Sequence, residues 1–173
     1  MFLKGEKISL RALEPEDLDF LFTSENDMTF WKVSNTQTPF SKYILKKYLN
    51  NAHLDIYQIK QLRLIITDNK NDTAAGMVDL FDFNPQHKRA GVGILIHEKF
   101  QNAGFGSEAI SLFTSYCFDP LNLHQLYANI TPDNSKSISL FTKLGFVKIG
   151  EKKDWLFIDG SFKNELIYQR ING

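Results

Sequence analysis

The segment from Arg89 to Ile130 constrains the fold most. It runs "RAGVGILI", then a polar stretch closing in the hexapeptide "QNAGFG" (Gln101 to Gly106), then "SEAISLFTSYCF" with helical spacing, then "HQLYANI". An apolar run, a glycine loop, a helix and a second strand make a β-α-β crossover, which places a parallel strand pair in the sheet. Upstream, "KISLRAL" alternates Ile8, Leu10 and Ala12 against Lys7, Ser9 and Arg11, the period of a half-buried strand. In "EPEDLDFLFTSEND", Pro15 suits a first helical turn, acids crowd the start, and Leu18, Leu21, Phe22 and Glu25 share one face. "SKYILKKYLNNA" reads as a second short helix, and "QLRLIIT" and "AAGMVDLFDF" as strands joined across the loop "DNKND". Downstream, "DNSKSISLFTKL" is a helix ending at Gly145, "FVKIGE" a strand, and "KDWLFIDGSFKNELIYQRI" a hairpin-like pair around Asp159 and Gly160. The order β-α-α-β-β-β-α-β-α-β-β, with antiparallel hairpins in its middle, predicts an α+β (mixed α/β) fold built on a mixed sheet.

A chain of 173 residues with 43% hydrophobic residues and 15 Phe predicts one domain, residues 1–173, with a core of its own. Lys plus Arg (20) balances Asp plus Glu (20), so no global field draws in nucleic acid or an anionic membrane. Charges at Lys4, Glu6 and Lys7 interrupt any signal-peptide pattern, and no apolar run approaches membrane-spanning length, which predicts a cytoplasmic protein. The single cysteine, Cys117, lies among Phe113, Tyr116 and Phe118 and reads as a core thiol, and the four histidines show no metal-ligand spacing. No metal is expected.

A glycine loop at a helix start offers outward N–H groups and the positive end of a helix dipole, which suits phosphate, and Gly104, Phe105, Gly106 and Ser107 would donate these amides. The letters also satisfy G-x-G-x-x-A (Gly104, Gly106, Ala109), the dinucleotide fingerprint of an oxidoreductase. That reading fits poorly, because "HEKFQNA" separates strand from glycine and no acid closes "HQLYANI" to hold a ribose. A bare glycine turn capping a helix is the plain alternative.

The loop is followed by "NSKSISLFTKLGF" (Asn134 to Phe146), and the combination Q-x-x-G-x-G, strand, N-x-x-S and K-x-G-F resembles the GNAT superfamily of acyl-CoA N-acyltransferases. The resemblance covers nearly the whole chain. "LRALEPEDLDFL" and "WLFIDGSFKNELIY" look like the branch containing ribosomal-protein N-terminal acetyltransferases and spermidine acetyltransferases. It implies a mostly antiparallel sheet flanked by helices, with strands splayed around an acyl-CoA site, acetyl-CoA as donor, an amine as acceptor, and a homodimer. On the matching positions, the loop Gln101, Asn102, Ala103, Gly104, Phe105, Gly106 and Ser107 would bind the pyrophosphate. The backbone of Ile94, Leu95 and Ile96 would pair with the pantetheine arm, and Asn134, Ser137, Phe141 and Lys143 would flank the cofactor. Core packing for the three strand residues, a helix cap for Asn134 and a solvated surface for Lys143 are the structural alternatives.

The family commonly protonates the departing thiolate with a tyrosine where this chain has Phe141, and its branch often carries a glutamate where this chain has Gly91. Both usual groups are missing. A thiol with a pKa of about 8.5 leaves with little help. A neutral amine is the harder demand: near pH 7.4 an amine of pKa ~10.4 is roughly a thousandth neutral, whereas an α-amine near ~7.7–8.0 is about a quarter neutral. Asp79 and Asp82, in "VDLFDF", are candidates to attract or deprotonate the acceptor, although strand alternation lets only one of them face a given site. His97 and Tyr127 are further protonatable candidates, and Phe30 and Trp31, just after the first helix, could line the acceptor mouth or merely pack that helix down. The family's acid-rich polyamine segment appears here as "KVSNTQTPF", without a carboxylate. The expectation is therefore an acetyl-CoA-dependent N-acetyltransferase preferring a peptide or ribosomal-protein α-amine over a spermidine-type polyamine, with a non-catalytic acyl-CoA-binding module as the rival.

Overall fold

The computed structural model describes residues 3–173; Met1 and Phe2 lie outside them. Among the described residues, β1 (Ile8–Arg11), β2 (Leu62–Asp68), β3 (Thr73–Asn84), β4 (Arg89–Ile96), β5 (Gln125–Ile130), β6 (Val147–Ile158) and β7 (Ser161–Ile171) form one sheet. Their spatial order is β1-β2-β3-β4-β5-β7-β6. Neighbours pair antiparallel except β4 and β5, the parallel pair that the crossover demands.

The helices are α1 (Leu18–Glu25), α2 (Met28–Ser34), α3 (Lys42–Asn50), α4 (Ile56–Ile59), α5 (Phe105–Phe118) and α6 (Ser135–Lys143). They cover both faces of the sheet, and strand alternation divides the core accordingly. Leu64, Ile66 and Val78 join Ile110, Phe113 and Cys117 of α5 in the larger cluster, whereas Ile65 and Met77 point the other way, onto Leu21 of α1 and Leu45 of α3. Cys117 is the core thiol the sequence predicts, fully buried, with its pKa raised by desolvation.

Two elements escape the sequence reading. α2 buries none of its residues, with Met28 and Val33 well exposed, so there is no periodic apolar stripe to read. It forms because the Asp27 side chain caps it, accepting from the Thr29 N–H at 2.9 Å, and it stops where Asn35 turns left-handed at φ 57°. α4 is a single turn capped by Asp55. A correction concerns "FVKIGE" and "KDWLFI", which are one strand, β6: register shifts against β7 and a positive φ at Asp154 bend it without ending it.

Candidate active site

The parallel contact between β4 and β5 is brief. It joins Arg89–Gly91 to Gln125–Tyr127 and stops, although β4 continues to Ile96 and β5 to Ile130. Outer edges stay occupied, β4 with β3 up to Ile96 and β5 with β7 up to Ile130. Two inner edges therefore diverge with backbone N–H and C=O groups facing the gap, and such groups need partners. A cavity of about 600 Å³ opens there, lined by Gly93 and Ile94 of β4, Ala128 to Ile130 of β5, and Asn134, Ser137 and Phe141 at α6. Leu95 turns its side chain to the second core cluster and Ile96 packs against the first, so both side chains are core.

At the far end of β4 lies the glycine loop. Gln101 Nε2 donates to the Ile96 carbonyl at 2.9 Å, and Lys136 Nζ donates to Gln101 Oε1 at 3.1 Å, so one side chain ties β4, the loop and α6 together. Asn102 (φ 61°) and Gly104 (φ 84°) turn the chain left-handed, and Gly104 caps α5. Gly106 faces Leu140, Ile94 and Ile96, which a Cβ there would meet at 3.5 Å and just under 4 Å, ordinary packing distances. The first N–H groups of α5 have no partner inside the helix. Lys7 Nζ, 3.0 Å from the Ala103 carbonyl, joins Lys136 at this end of α5. The first turn of α5 also carries Glu108, whose carboxylate accepts from the Glu6, Lys7 and Ile8 N–H groups and so pins the chain before β1 to this helix end.

The opposite wall of the cavity is polar. Arg63 of β2 lies across from Asp79 in the β2–β3 register, and its guanidinium forks onto that carboxylate, Nε to Oδ1 at 2.6 Å and Nη2 to Oδ2 at 2.7 Å. Its Nη1 donates to Glu25 Oε1 from the last residue of α1. Burial opposes the charge on Arg63, but the coulombic pull and hydrogen bonds of Asp79, joined by Glu25, raise its pKa above the ordinary value. The Tyr48 ring of α3 lies 5.8 Å from the guanidinium carbon, and burial raises that phenol, which stays neutral through the physiological range. Glu165 of β7 also lines the cavity and is paired with Lys152 at 2.8 Å.

Of the sequence candidates, Ile94, Asn134, Ser137, Phe141 and Asp79 line this cavity. Asn134 also caps α6, its side chain accepting from the Ser137 N–H at 3.2 Å, so the structural alternative is realised there whatever else the residue does. Phe141 is buried edge-on to Phe146. Asp82 points elsewhere, at a positive φ in a β3 bulge, accepting from the Tyr127 hydroxyl at 2.9 Å. Burial, then that bond, raises the Tyr127 phenol. His97 does not line the cavity either. Its Nε2 stands 2.7 Å from Ser24 Oγ, whose own hydrogen goes to the Phe20 carbonyl, so His97 is the donor. Phe20 and Phe30 flank its ring, and desolvation lowers its pKa. Trp31 donates to the Glu25 carbonyl at 2.9 Å, fixing the end of α1, while Lys143 is exposed in the last turn of α6. At Gly91, a Cβ would stand 2.2 Å from the Phe81 ring, so the place of a larger residue is taken by Phe81, itself edge-on to Tyr127.

Glu25, Arg63, Tyr48 and Glu165 are the site residues that sequence reasoning missed. Glu25 carried a signal, a carboxylate on the otherwise apolar face of its helix. The pairing of Arg63 with Asp79 carried none, because it depends on strand register.

Diverging strand edges able to pair with an extended amide chain, between a glycine loop at a helix start and a cavity lined by Glu25, Asp79 and Glu165, suit an enzyme that moves an acyl group from coenzyme A to an amine. The acetyltransferase (GNAT) domain family model matches residues 7–147. The chain belongs to the GNAT acetyltransferase family, and it is an acetyl-CoA-dependent N-acetyltransferase. The spermidine N(1)-acetyltransferase of Escherichia coli (strain K12) is 30% identical over 165 residues, 94% of this chain and 84% of that one. The [ribosomal protein uS5]-alanine N-acetyltransferase of the same organism is 34% identical over 76 residues, 44% of this chain and 39% of that one. Among solved structures, the spermidine N-acetyltransferase from Vibrio cholerae in complex with CoA and spermine superposes with a TM-score of 0.88, at 26% identity and 96% coverage of both chains. Among the described residues no group of three or more His, Cys, Asp or Glu could hold a metal ion, and no helix is long and apolar enough to cross a membrane.

Proposed function

We propose that this enzyme acetylates a primary amino group of small aliphatic amines of the polyamine class in preference to a peptide α-amine. The observation that carries this reading is that Glu25, Asp79 and Glu165 line the same cavity as the splayed strands. Carboxylates absent from "KVSNTQTPF" are supplied instead from α1, β3 and β7, so the argument from that segment against a polyamine loses its force. The relatives lean the same way. The match to a spermidine acetyltransferase spans nearly the whole chain, whereas the match to the ribosomal-protein enzyme spans under half of it.

Acetyl-CoA supplies an activated thioester. In this reading the amides of Gly104 to Ser107, with Lys7 and Lys136 beside them, hold its phosphates, and the backbone of Ile94 to Ile96 pairs with its pantetheine arm. Asn134, Ser137 and Phe141 close the wall on the α6 side. A backbone N–H of β4 on the inner edge donates to the thioester oxygen as charge develops there. The one negative charge left on the Glu25–Arg63–Asp79 cluster draws a cationic acceptor to this wall. Phe141 offers no proton, and a thiolate whose conjugate acid lies near ~8.5 departs without one.

Free-thiol release from acetyl-CoA tests the reading, with spermidine, aliphatic diamines and short peptides bearing free N-termini as acceptors. Spermidine and diamines are expected to turn over with the higher kcat/KM, and turnover confined to peptides would reverse the assignment.

A further inference from the structure

The polar wall of the cavity is not uniformly charged. Glu165 is neutralised by Lys152, and Lys32, at the cavity rim, is paired with Asp159. What remains is the Glu25–Arg63–Asp79 cluster, two carboxylates against one guanidinium, with one negative charge left over. Glu25 and Arg63 are largely withdrawn from solvent, at 15% and 20% side-chain exposure, and Asp79 is half-buried at 35%. Within the cluster both oxygens of Asp79 already accept from Arg63, and Glu25 accepts through Oε1 alone. Glu25 Oε2 is therefore the carboxylate oxygen of the cluster that accepts no hydrogen bond, on a residue that lines the cavity.

We propose that Glu25 is a specificity-determining residue whose Oε2 seats a second, non-reacting ammonium of the acceptor. This rests on the amine-acceptor reading above and deepens it. A carboxylate is a weak base for an alkylammonium near ~10.4, so its natural use here is to hold charge. Arg63 contributes twice. It fixes the Glu25 side chain through Nη1, and it cancels one of the two carboxylate charges, so the cluster holds one ammonium and offers no further one a seat. The acceptor class is thus an aliphatic chain with one cation beyond the amine that reacts.

Glu25→Gln is the test. The amide keeps an oxygen for Arg63 Nη1 but places an NH₂ where Oε2 stood, replacing an acceptor with a donor. Steady-state kinetics with 1,5-diaminopentane and with 1-aminopentane, which lacks only the second ammonium, read the effect. A charge-assisted hydrogen bond predicts that the wild type prefers the diamine by about 10- to 100-fold in kcat/KM, carried by KM, and that Glu25→Gln collapses this preference by a similar factor. Turnover of both amines by the wild type with no preference for the diamine overturns the seat and leaves the acceptor reading standing, as does a preference that survives Glu25→Gln. Turnover of neither amine overturns the acceptor reading itself. The wild-type ratio stands as a test if the variant does not fold.

Discussion

Replacing Arg63 with methionine would remove the one cation that Glu25 and Asp79 share. Methionine preserves much of the aliphatic length against Tyr48 but leaves two carboxylates facing each other with no donor. Deleting one partner of a buried ion pair costs about 3–5 kcal/mol, whereas an exposed pair costs about 0–1. With Arg63 and Glu25 at 20% and 15% side-chain exposure and Asp79 at 35%, the loss belongs between these ranges, about 2–3 kcal/mol. Urea unfolding followed by the fluorescence of Trp31 and Trp155 measures it. Adding Asp79→Asn to the variant should restore about half of the loss at neutral pH, because it removes one of the opposed charges. A loss below about 0.5 kcal/mol, or one that Asp79→Asn does not relieve, would refute the reasoning, since the cluster would then behave as an exposed pair.

Gly91→Ala drives a Cβ into the Phe81 ring, which Tyr127 backs on its far side, and should cost about 1–3 kcal/mol in unfolding experiments; unchanged stability would mean that Phe81 moves freely. His97 has its pKa lowered below the ordinary value by burial, so the unfolded chain binds a proton that the folded chain resists. Stability should therefore fall as the pH drops below about 6.5, and His97→Gln should flatten that part of the Tm-against-pH curve; an identical slope in the variant would show that His97 is not its source.

The parts of the molecule legible in its sequence are those where local chemistry and tertiary position agree. Strand alternation, the glycine turn and the apolar stripe of α5 each declare themselves within a few residues, and together they set the crossover and the place of the loop. α2 was illegible because a capped helix that buries nothing has no period. The two halves of β6 were read as separate because the left-handed Asp154 looks, in sequence, like the end of a strand. The glycine turn from Gln101 to Ser107 and the cap at Asn134 could be read because each is set by a few neighbouring residues. The Glu25–Arg63–Asp79 cluster could not, because its members come from three elements and meet only through the β2–β3 register and the seating of α1. Asp82 and His97, plausible by type, are consumed by Tyr127 and Ser24.

The most direct test is a crystal structure of the protein bound to coenzyme A and 1,5-diaminopentane. The account predicts the pantetheine arm lying between the inner edges of β4 and β5, phosphates on the amides of Gly104 to Ser107, and one ammonium within hydrogen-bonding distance of Glu25 Oε2. Coenzyme A bound away from the splay, or a diamine that leaves the Glu25–Arg63–Asp79 cluster untouched, would contradict it.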